Sequence, residues 1–140
     1  MSKNIGELAE AKFITECLTR DLVISQPFGD NAKYDFIVDS KQGLKKVQIK
    51  STLKLSLPYT DKRSGKVLKQ KWHFNLASGS AQKIPYALSE VDIFALHIFE
   101  TNSWLIIPNK EIFPRKTVSL IPDGNSRWNR YLNNWDALIL

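Results

Sequence analysis

The stretch that decides the fold is Tyr34-Asp35-Phe36-Ile37-Val38-Asp39, followed by a glycine-containing turn and then Val47-Gln48-Ile49-Lys50. Both segments are rich in β-branched and aromatic residues, and a turn signal separates them, which predicts an antiparallel hairpin. Side chains alternate across a strand, so Gln48 and Lys50 share one face and the apolar residues of their segment share the other. The hairpin therefore presents polar side chains on one face.

The length of the turn decides whether Asp35 joins that polar face. A four-residue loop ending at Gly43 places Asp35 opposite Gln48, and the side chains of Asp35, Gln48 and Lys50 then project together. A three-residue loop with the same end places Asp35 opposite Ile49 and separates the three. We predict the four-residue loop; the alternative is a half-buried hairpin whose Lys50 only reaches toward solvent.

A helix is predicted upstream of the hairpin, over residues 4–20. Asn4 can cap it, and apolar side chains recur at three- and four-residue spacing. Glu10 shares the apolar face with Phe13, so we expect Glu10 to point toward the core, whereas Glu7 at the edge of that face should be solvated. A buried carboxylate without a partner costs several kcal/mol, so a cation or a hydrogen-bond donor is expected beside Glu10.

Length and charge bound the class of protein. The 140 residues predict one domain, residues 1–140, because a chain of this size buries a sufficient core. No apolar run approaches the roughly 20 residues of a membrane span, and the single cysteine and the absence of a secretory pattern predict a cytoplasmic protein. A formal charge of +6 favours a polyanionic partner.

The remaining elements predict an α/β domain with a mixed sheet. Further strands are expected at residues 22–25, 53–57, 67–76, 91–99, 104–107 and 117–121, and short helices at residues 109–113 and 129–138. Segments 53–57 and 67–76 should pair as a second, more polar hairpin. A doubly wound parallel sheet requires a regular alternation of strands and helices, which the sequence lacks.

Three patterns together resemble the PD-(D/E)xK nuclease core: Gly6-x-x-Ala9-Glu10 on the first helix, Asp35 on a strand, and Gln48-x-Lys50 on the next. With the approach Pro27-x-Gly29-Asp30-Asn31-x-x-Tyr34-Asp35 and the small size, the chain is most similar to the PD-(D/E)xK homing endonucleases encoded in cyanobacterial group I introns. It departs from the family pattern at two positions. Tyr34 stands where the family name has proline, and Gln48 replaces a carboxylate.

The resemblance implies a fold and a set of roles. The fold would be a restriction-endonuclease-like core, an N-terminal helix packed on a mixed β-sheet, with an added polar DNA-binding hairpin and a C-terminal helix. Asp35, the Gln48 side chain and the Ile49 backbone carbonyl would bind Mg²⁺, and Glu10 would bind the metal or its water. Lys50 would orient the attacking water and stabilise charge on the phosphate, giving a 5′-phosphate and a 3′-hydroxyl.

The polar hairpin is the predicted DNA contact. Its segment 62–71 contains five basic residues and no acidic one: Lys62, Arg63, Lys66, Lys69 and Lys71. A two-stranded ribbon fits the major groove, although lysines on an exposed edge strand can also serve only to prevent unwanted pairing. A second candidate patch comprises Arg115, Lys116, Arg127 and Arg130.

The sequence thus predicts a site-specific, Mg²⁺-dependent endonuclease of double-stranded DNA of the homing type, with no membrane partner. Cutting both strands of a long site requires two active sites, so a homo-oligomer, a dimer or a tetramer, is expected. A Holliday junction resolvase, a restriction-type nuclease of the same fold, or a catalytically inactive DNA-binding module are the alternatives.

The tryptophans and histidines are predicted to be structural. They are Trp72, Trp104, Trp128, Trp135, His73 and His97. The tryptophans stand among apolar neighbours, and neither histidine has a second ligand at metal-binding spacing.

Overall fold

The chain begins with helix α1, Ser2–Thr19, in the computed structural model, which describes residues 2–57, 59–79 and 81–139. Ala9, Phe13 and Cys17, four residues apart, are buried to 1% exposure or less along one side of this helix. The helix ends where Asp21 takes a left-handed backbone conformation, φ 58°, and its N–H donates to the Leu18 carbonyl over 3.1 Å. The predicted helix is confirmed, but it begins at Ser2, so Asn4 lies within the helix and does not cap it.

After α1 the regular elements are mostly short strands. In chain order they are β1 Val23–Ser25, β2 Phe36–Ser40, β3 Gly43–Thr52, β4 Tyr59–Thr60, β5 Val67–Leu68, β6 Trp72–Asn75, β7 Ala77–Ser78, β8 Ile84–Pro85, β9 Ile93–Ile98, β10 Ser103–Pro108 and β11 Thr117–Leu120. Two 3₁₀ turns, Asn109–Glu111 and Asn129–Tyr131, and helix α2, Asp136–Ile139, complete the described elements.

The main sheet is mixed, as predicted, and its strand order is β1-β2-β3-β9-β10. Strand β3 runs parallel to β9, and the other neighbours are antiparallel. All six residues of β9 are buried, because both faces of the sheet are covered at this strand.

The two faces of the sheet support two cores. Helix α1 covers the face that carries Val47, Ile49 and Ala95, and Phe13 packs into that core. The opposite face carries Phe94, and the small sheet of β6 and β11 covers it. Because side chains alternate along β3, Gln48 and Lys50 belong to the second face, away from α1.

The second hairpin differs from the prediction. Segment 53–57 forms no strand, and segment 67–76 is divided into β5, which pairs with β4 in a short ribbon, and β6, which pairs with β11. Along β6 the side chains alternate between buried and exposed, with Trp72 and Phe74 in the core. Burial of these two rings draws β6 to β11, a partner that is distant in sequence.

The predicted closing helix over residues 129–138 is also wrong. After the 3₁₀ turn, Leu132 bridges Leu105 in β10, and Asn133 takes a left-handed conformation with φ 51°. The Asn133 N–H donates to the Trp104 carbonyl over 2.6 Å, and its Oδ1 accepts the Trp104 N–H over 3.0 Å. These hydrogen bonds to β10 interrupt the helix, so only the four residues of α2 are helical at the end.

Candidate active site

The hairpin register is the predicted one. Asp39 pairs with Leu44, and the ladder begins at Phe36 opposite Val47. The turn is tightened by Ser40, whose hydroxyl donates to the Gly43 carbonyl over 2.7 Å, and Gly43 takes φ 113°. The three-residue loop that would have separated the polar residues is therefore wrong.

Asp35 lies immediately before β2, at the edge of β3. Its N–H donates to the Val47 carbonyl over 2.8 Å, and its Oδ2 accepts the Ile49 N–H, also over 2.8 Å. The N–H and C=O of one residue point to the same side of a strand, so the Ile49 carbonyl faces the same edge as Asp35, beyond the start of β2. The main chain thus places one carboxylate and one carbonyl oxygen together.

Gln48 and Lys50 project from the face of β3 opposite to α1, both half-buried. They pair with Phe94 and Leu96 of β9, so apolar side chains flank them. Burial lowers the pKa of Lys50, while the negative charge of Asp35 opposes that shift. Lys50 is thus a partly desolvated ammonium near a carboxylate.

Glu10 lies beside the buried stripe of α1 rather than within it, since its side chain is half-buried and Glu7 is exposed. Burial raises the pKa of Glu10, and the charges of Asp35 and Glu7 raise it further. Burial also raises the pKa of Asp35, opposed by the Ile49 hydrogen bond and by Lys50. Glu10 and Asp35 line one cavity of about 250 Å³ with residues of loop 26–34.

Comparison with known proteins identifies the family of this chain. The family model described as PD-(D/E)XK endonuclease matches residues 1–136. The chain belongs to the PD-(D/E)XK endonuclease family. Nuclease is therefore its functional class, DNA its class of substrate, and nucleases of this family typically use divalent metals.

The fold of this PD-(D/E)XK endonuclease is shared with a solved structure described as a bacterial homing endonuclease, I-Ssp6803I. The two are 20% identical, the match covers 96% of this chain and 90% of that chain, and the TM-score is 0.72. Among curated proteins, none matches the chain. No described helix combines the length and apolar character that a membrane crossing requires.

The candidate metal donors of this endonuclease are all oxygens. Within residues 2–57, 59–79 and 81–139, no three or more His, Cys, Asp or Glu side chains are grouped to hold a metal ion. Two carboxylates, the Gln48 amide and the Ile49 carbonyl remain as donors, a set that suits a hard cation such as Mg²⁺. A larger cavity, of about 360 Å³, lies beside Lys45, Lys110 and Ala137. None of the candidate metal donors lines this cavity, so it is not the candidate metal site.

Tyr86, to which no sequence pattern assigns a chemical role, is brought to Lys50 by the fold. The Lys50 Nζ lies 5.8 Å from the centroid of the Tyr86 ring, and that ring packs edge-on against Phe94 at 5.7 Å. The buried Asn109 side chain donates to the carbonyls of Tyr86 and Val91 over 3.1 and 3.0 Å. Asn109 thus holds in place the segment that carries the ring. No short motif could have revealed this contact, because the residues are distant in sequence.

The basic residues of segment 62–71 are all exposed: Lys62, Arg63, Lys66, Lys69 and Lys71. They occupy the turn of the β4–β5 ribbon and its continuation toward β6. Asp61 orders the turn by accepting the Arg63 N–H over 3.1 Å, and its hydrogen bonds lower its pKa. The segment itself contains no acidic residue, but the fold brings Asp123 to Lys69, and the two form an ion pair with 2.8 Å between the Lys69 Nζ and an Asp123 carboxylate oxygen.

The structural roles predicted for the tryptophans and for His97 are confirmed. Exposure of the four tryptophans is 8% or less, and His97 is fully buried. His73 is exposed, and its Nδ1 lies 2.9 Å from the Ser119 hydroxyl oxygen.

Proposed function

We propose that this protein is a metal-dependent, site-specific endonuclease of double-stranded DNA of the homing type. The observation that carries the proposal is the Asp35 carboxylate, fixed by the Ile49 N–H at the edge of the strand that also presents Gln48 and Lys50. Membership of the family and the fold shared with I-Ssp6803I support it.

A divalent cation fits the electrostatics of the site. Glu10 and Asp35 are partly buried carboxylates, and the charge of Asp35 raises the pKa of Glu10. A cation bound by both would offset the free-energy cost of burying their charges and the repulsion between them. We assign Mg²⁺ to Asp35, the Gln48 amide oxygen and the Ile49 carbonyl, with Glu10 binding directly or through water. When bound, the cation acts as a Lewis acid on the phosphate and lowers the pKa of a water molecule.

The chain's own residues supply the rest of the chemistry. Lys50 donates hydrogen bonds that orient the attacking water and stabilise the charge that develops on the phosphoryl oxygens. Water adds to phosphorus and the bond to the 3′ oxygen breaks, which leaves a 5′-phosphate and a 3′-hydroxyl. Gln48 contributes no charge, so the anionic oxygens of the scissile phosphate would supply the negative charge that a carboxylate at this position would otherwise provide.

DNA is bound by the exposed basic residues of the β4–β5 ribbon and its continuation, Lys62, Arg63, Lys66, Lys69 and Lys71. Lysines bind phosphates, and Arg63, at the turn, reads a guanine edge. A homo-oligomer, a dimer or a tetramer, supplies the two active sites that a double-strand break requires.

Cleavage of a randomised-site DNA library tests this function. With Mg²⁺ we expect cutting confined to a narrow set of sites, and with EDTA we expect none. Gln48 favours one other candidate, a DNA-binding module without activity, since a carboxylate is missing from the donor set. Tight binding with no cutting at any Mg²⁺ concentration would establish that module, and cutting of four-way junctions but not of linear duplexes would identify a resolvase.

A further inference from the structure

Three arginines of the C-terminal third lie over aromatic rings. The guanidinium carbons of Arg115 and Arg127 are 5.9 and 4.7 Å from the centroid of the Trp128 ring, and that of Arg130 is 5.1 Å from the Tyr131 ring. These separations are within the range of cation–π attraction. All three arginines are exposed at the surface, so each has a ring beneath it and solvent above.

The aromatic support is fixed in position. Trp128 is only 5% exposed and belongs to the core on the β6–β11 side of the main sheet. The main-chain N–H of Trp128 donates to the Ser126 hydroxyl over 3.1 Å, and that hydroxyl donates in turn to the Ser119 carbonyl of β11 over 3.2 Å. A guanidinium stacked on such a ring loses less side-chain freedom when it binds an anion than a free arginine does.

The positive charge of this surface exceeds its negative charge. Within the part of the chain that the structure describes, no carboxylate forms an ion pair with Arg115, Arg127 or Arg130. Glu111 lines a cavity of about 160 Å³ with Arg127 and Arg130, and exposed Lys116 adds a further positive charge. The surface therefore remains cationic and attracts a polyanion.

The position of these arginines relates them to the candidate active site. Trp128 packs in the same core as Phe94 and Leu96, the residues that pair with Gln48 and Lys50. The ion pair between Lys69 and Asp123 joins the continuation of the ribbon to the loop after β11. The arginines and the ribbon thus lie on the same side of the main sheet as Gln48 and Lys50.

We propose that Arg115, Arg127 and Arg130 form a second DNA-contact surface, which binds the phosphodiester backbone and holds the duplex in register over the candidate active site. The inference rests on the proposed function for its partner, duplex DNA, and adds a surface to it. Stacked guanidinium groups suit phosphate oxygens, which accept two parallel hydrogen bonds from one arginine. Backbone contacts position a duplex without reading its sequence.

The test compares two triple variants that each remove three positive charges. One is Arg115→Gln with Arg127→Gln and Arg130→Gln. The control is Lys41→Gln with Lys45→Gln and Lys110→Gln, whose lysines lie near the opposite end of β3 from Lys50 or beside the larger cavity. The Kd for the cleaved sequence and for an unrelated duplex is measured between 50 and 200 mM salt, together with the cleavage rate at saturating DNA.

We expect the negative slope of log K against log salt to become shallower by about 3 in the arginine variant, since each phosphate contact contributes roughly 0.9 to the slope. Its affinity should fall by the same factor for both duplexes, and its cleavage rate at saturating DNA should fall as well, because the duplex is no longer held in register. The control should keep the wild-type slope. Equal slope changes in the two triple variants would overturn the inference, because the effect would then be one of net charge alone.

Two further outcomes are separable. If thermal unfolding shows that the arginine triple is destabilised, the three single Arg→Gln variants replace it; each should lower the slope by about one, and unchanged slopes would overturn the inference. If the wild-type protein binds no duplex at low salt, the proposed function itself fails, and it fails before any variant is compared.

Discussion

Gln48 is the residue at which this chain departs most from the chemistry of its family, and its consequence is electrostatic. An amide oxygen in place of a carboxylate leaves the proposed donor set with two negative charges, those of Glu10 and Asp35. The geometry of β3 is unaffected, since Gln48 is half-buried beside Phe94 as part of a regular strand. The substitution therefore changes the affinity of the site for a cation more than its shape.

Gln48→Glu should bind Mg²⁺ more tightly than the wild type while the fold is retained. The added charge at a ligand position strengthens attraction for the cation, so the Mg²⁺ concentration that gives half-maximal cleavage should fall several-fold. Titration of metal in a cleavage assay, with calorimetry of metal binding to the free protein, measures the shift. An unchanged titration would remove Gln48 from the ligand set.

Tyr86 should matter through the orientation of Lys50. Tyr86→Leu removes the ring and should slow cleavage about fivefold at saturating DNA, an amount equal to one weak contact of about 1 kcal/mol. Tyr86→Phe keeps the ring and should retain most of the rate, with Kd for DNA unchanged in both. Equal losses in the two variants would show that the hydroxyl, not the ring, is the important group.

At the scale of elements, the ribbon and the loop after β11 are connected by one ion pair. The sequence predicts Lys69 as a DNA contact, but the fold places Asp123 at 2.8 Å from its ammonium. The hydrogen bond from Lys69 lowers the pKa of Asp123, so this carboxylate is charged at neutral pH. A DNA phosphate at Lys69 would therefore have to compete with Asp123.

Asp123→Asn should tighten DNA binding and steepen the slope of log K against log salt by about one, because Lys69 becomes free to contact a phosphate. Asp39→Asn, which removes another exposed negative charge, from β2, is the matched control and should leave the slope unchanged. In the opposite direction, Lys66→Ala should weaken binding almost uniformly across sequences. A steeper slope in both Asn variants would indicate a general charge effect.

Local patterns allowed the sequence to predict α1, the β2–β3 hairpin and the β9–β10 pair. The register followed from one glycine turn, so the placement of Asp35 near Gln48 and Lys50 could be predicted from residues close together in the chain. The pairing of β6 with β11, the interruption of the last helix at Asn133 and the approach of Tyr86 to Lys50 could not. Each depends on a partner distant in sequence, and tertiary contacts override local preference there.

At the scale of the whole molecule, the buried His97 makes the stability of the fold depend on pH. Its ring lies 4.5 Å from the rings of both Phe99 and Trp104, and neither nitrogen has a hydrogen-bond partner among the described residues. Burial lowers the pKa of His97 to about 4, and the positive charge of Lys12 lowers it further. The main chain of Ser103 acts in the opposite direction and raises this pKa, although it forms no hydrogen bond of normal geometry with the ring. The folded protein therefore holds this ring neutral.

In the unfolded chain His97 takes up a proton near its usual pKa of 6.5, whereas the folded protein takes it up only near pH 4. The free energy of unfolding should therefore decrease as the pH falls through this window, by an amount of the order of 3 kcal/mol at most. His97→Phe should remove that part of the pH dependence. Chemical denaturation of both proteins at pH 7, 6, 5 and 4 measures the difference, and parallel pH profiles would contradict the prediction.

The central claim is that the edge of β3 is a nuclease site. The most direct test measures Mg²⁺-dependent cleavage by the variants Lys50→Ala and Asp35→Asn under single-turnover conditions. DNA binding is measured on the same samples. Lys50→Ala removes the group that stabilises the phosphoryl charge, and Asp35→Asn removes the charge that binds the cation. We predict that both variants bind DNA with nearly the wild-type Kd and that neither cuts it. Cleavage by either variant at near the wild-type rate would contradict the account.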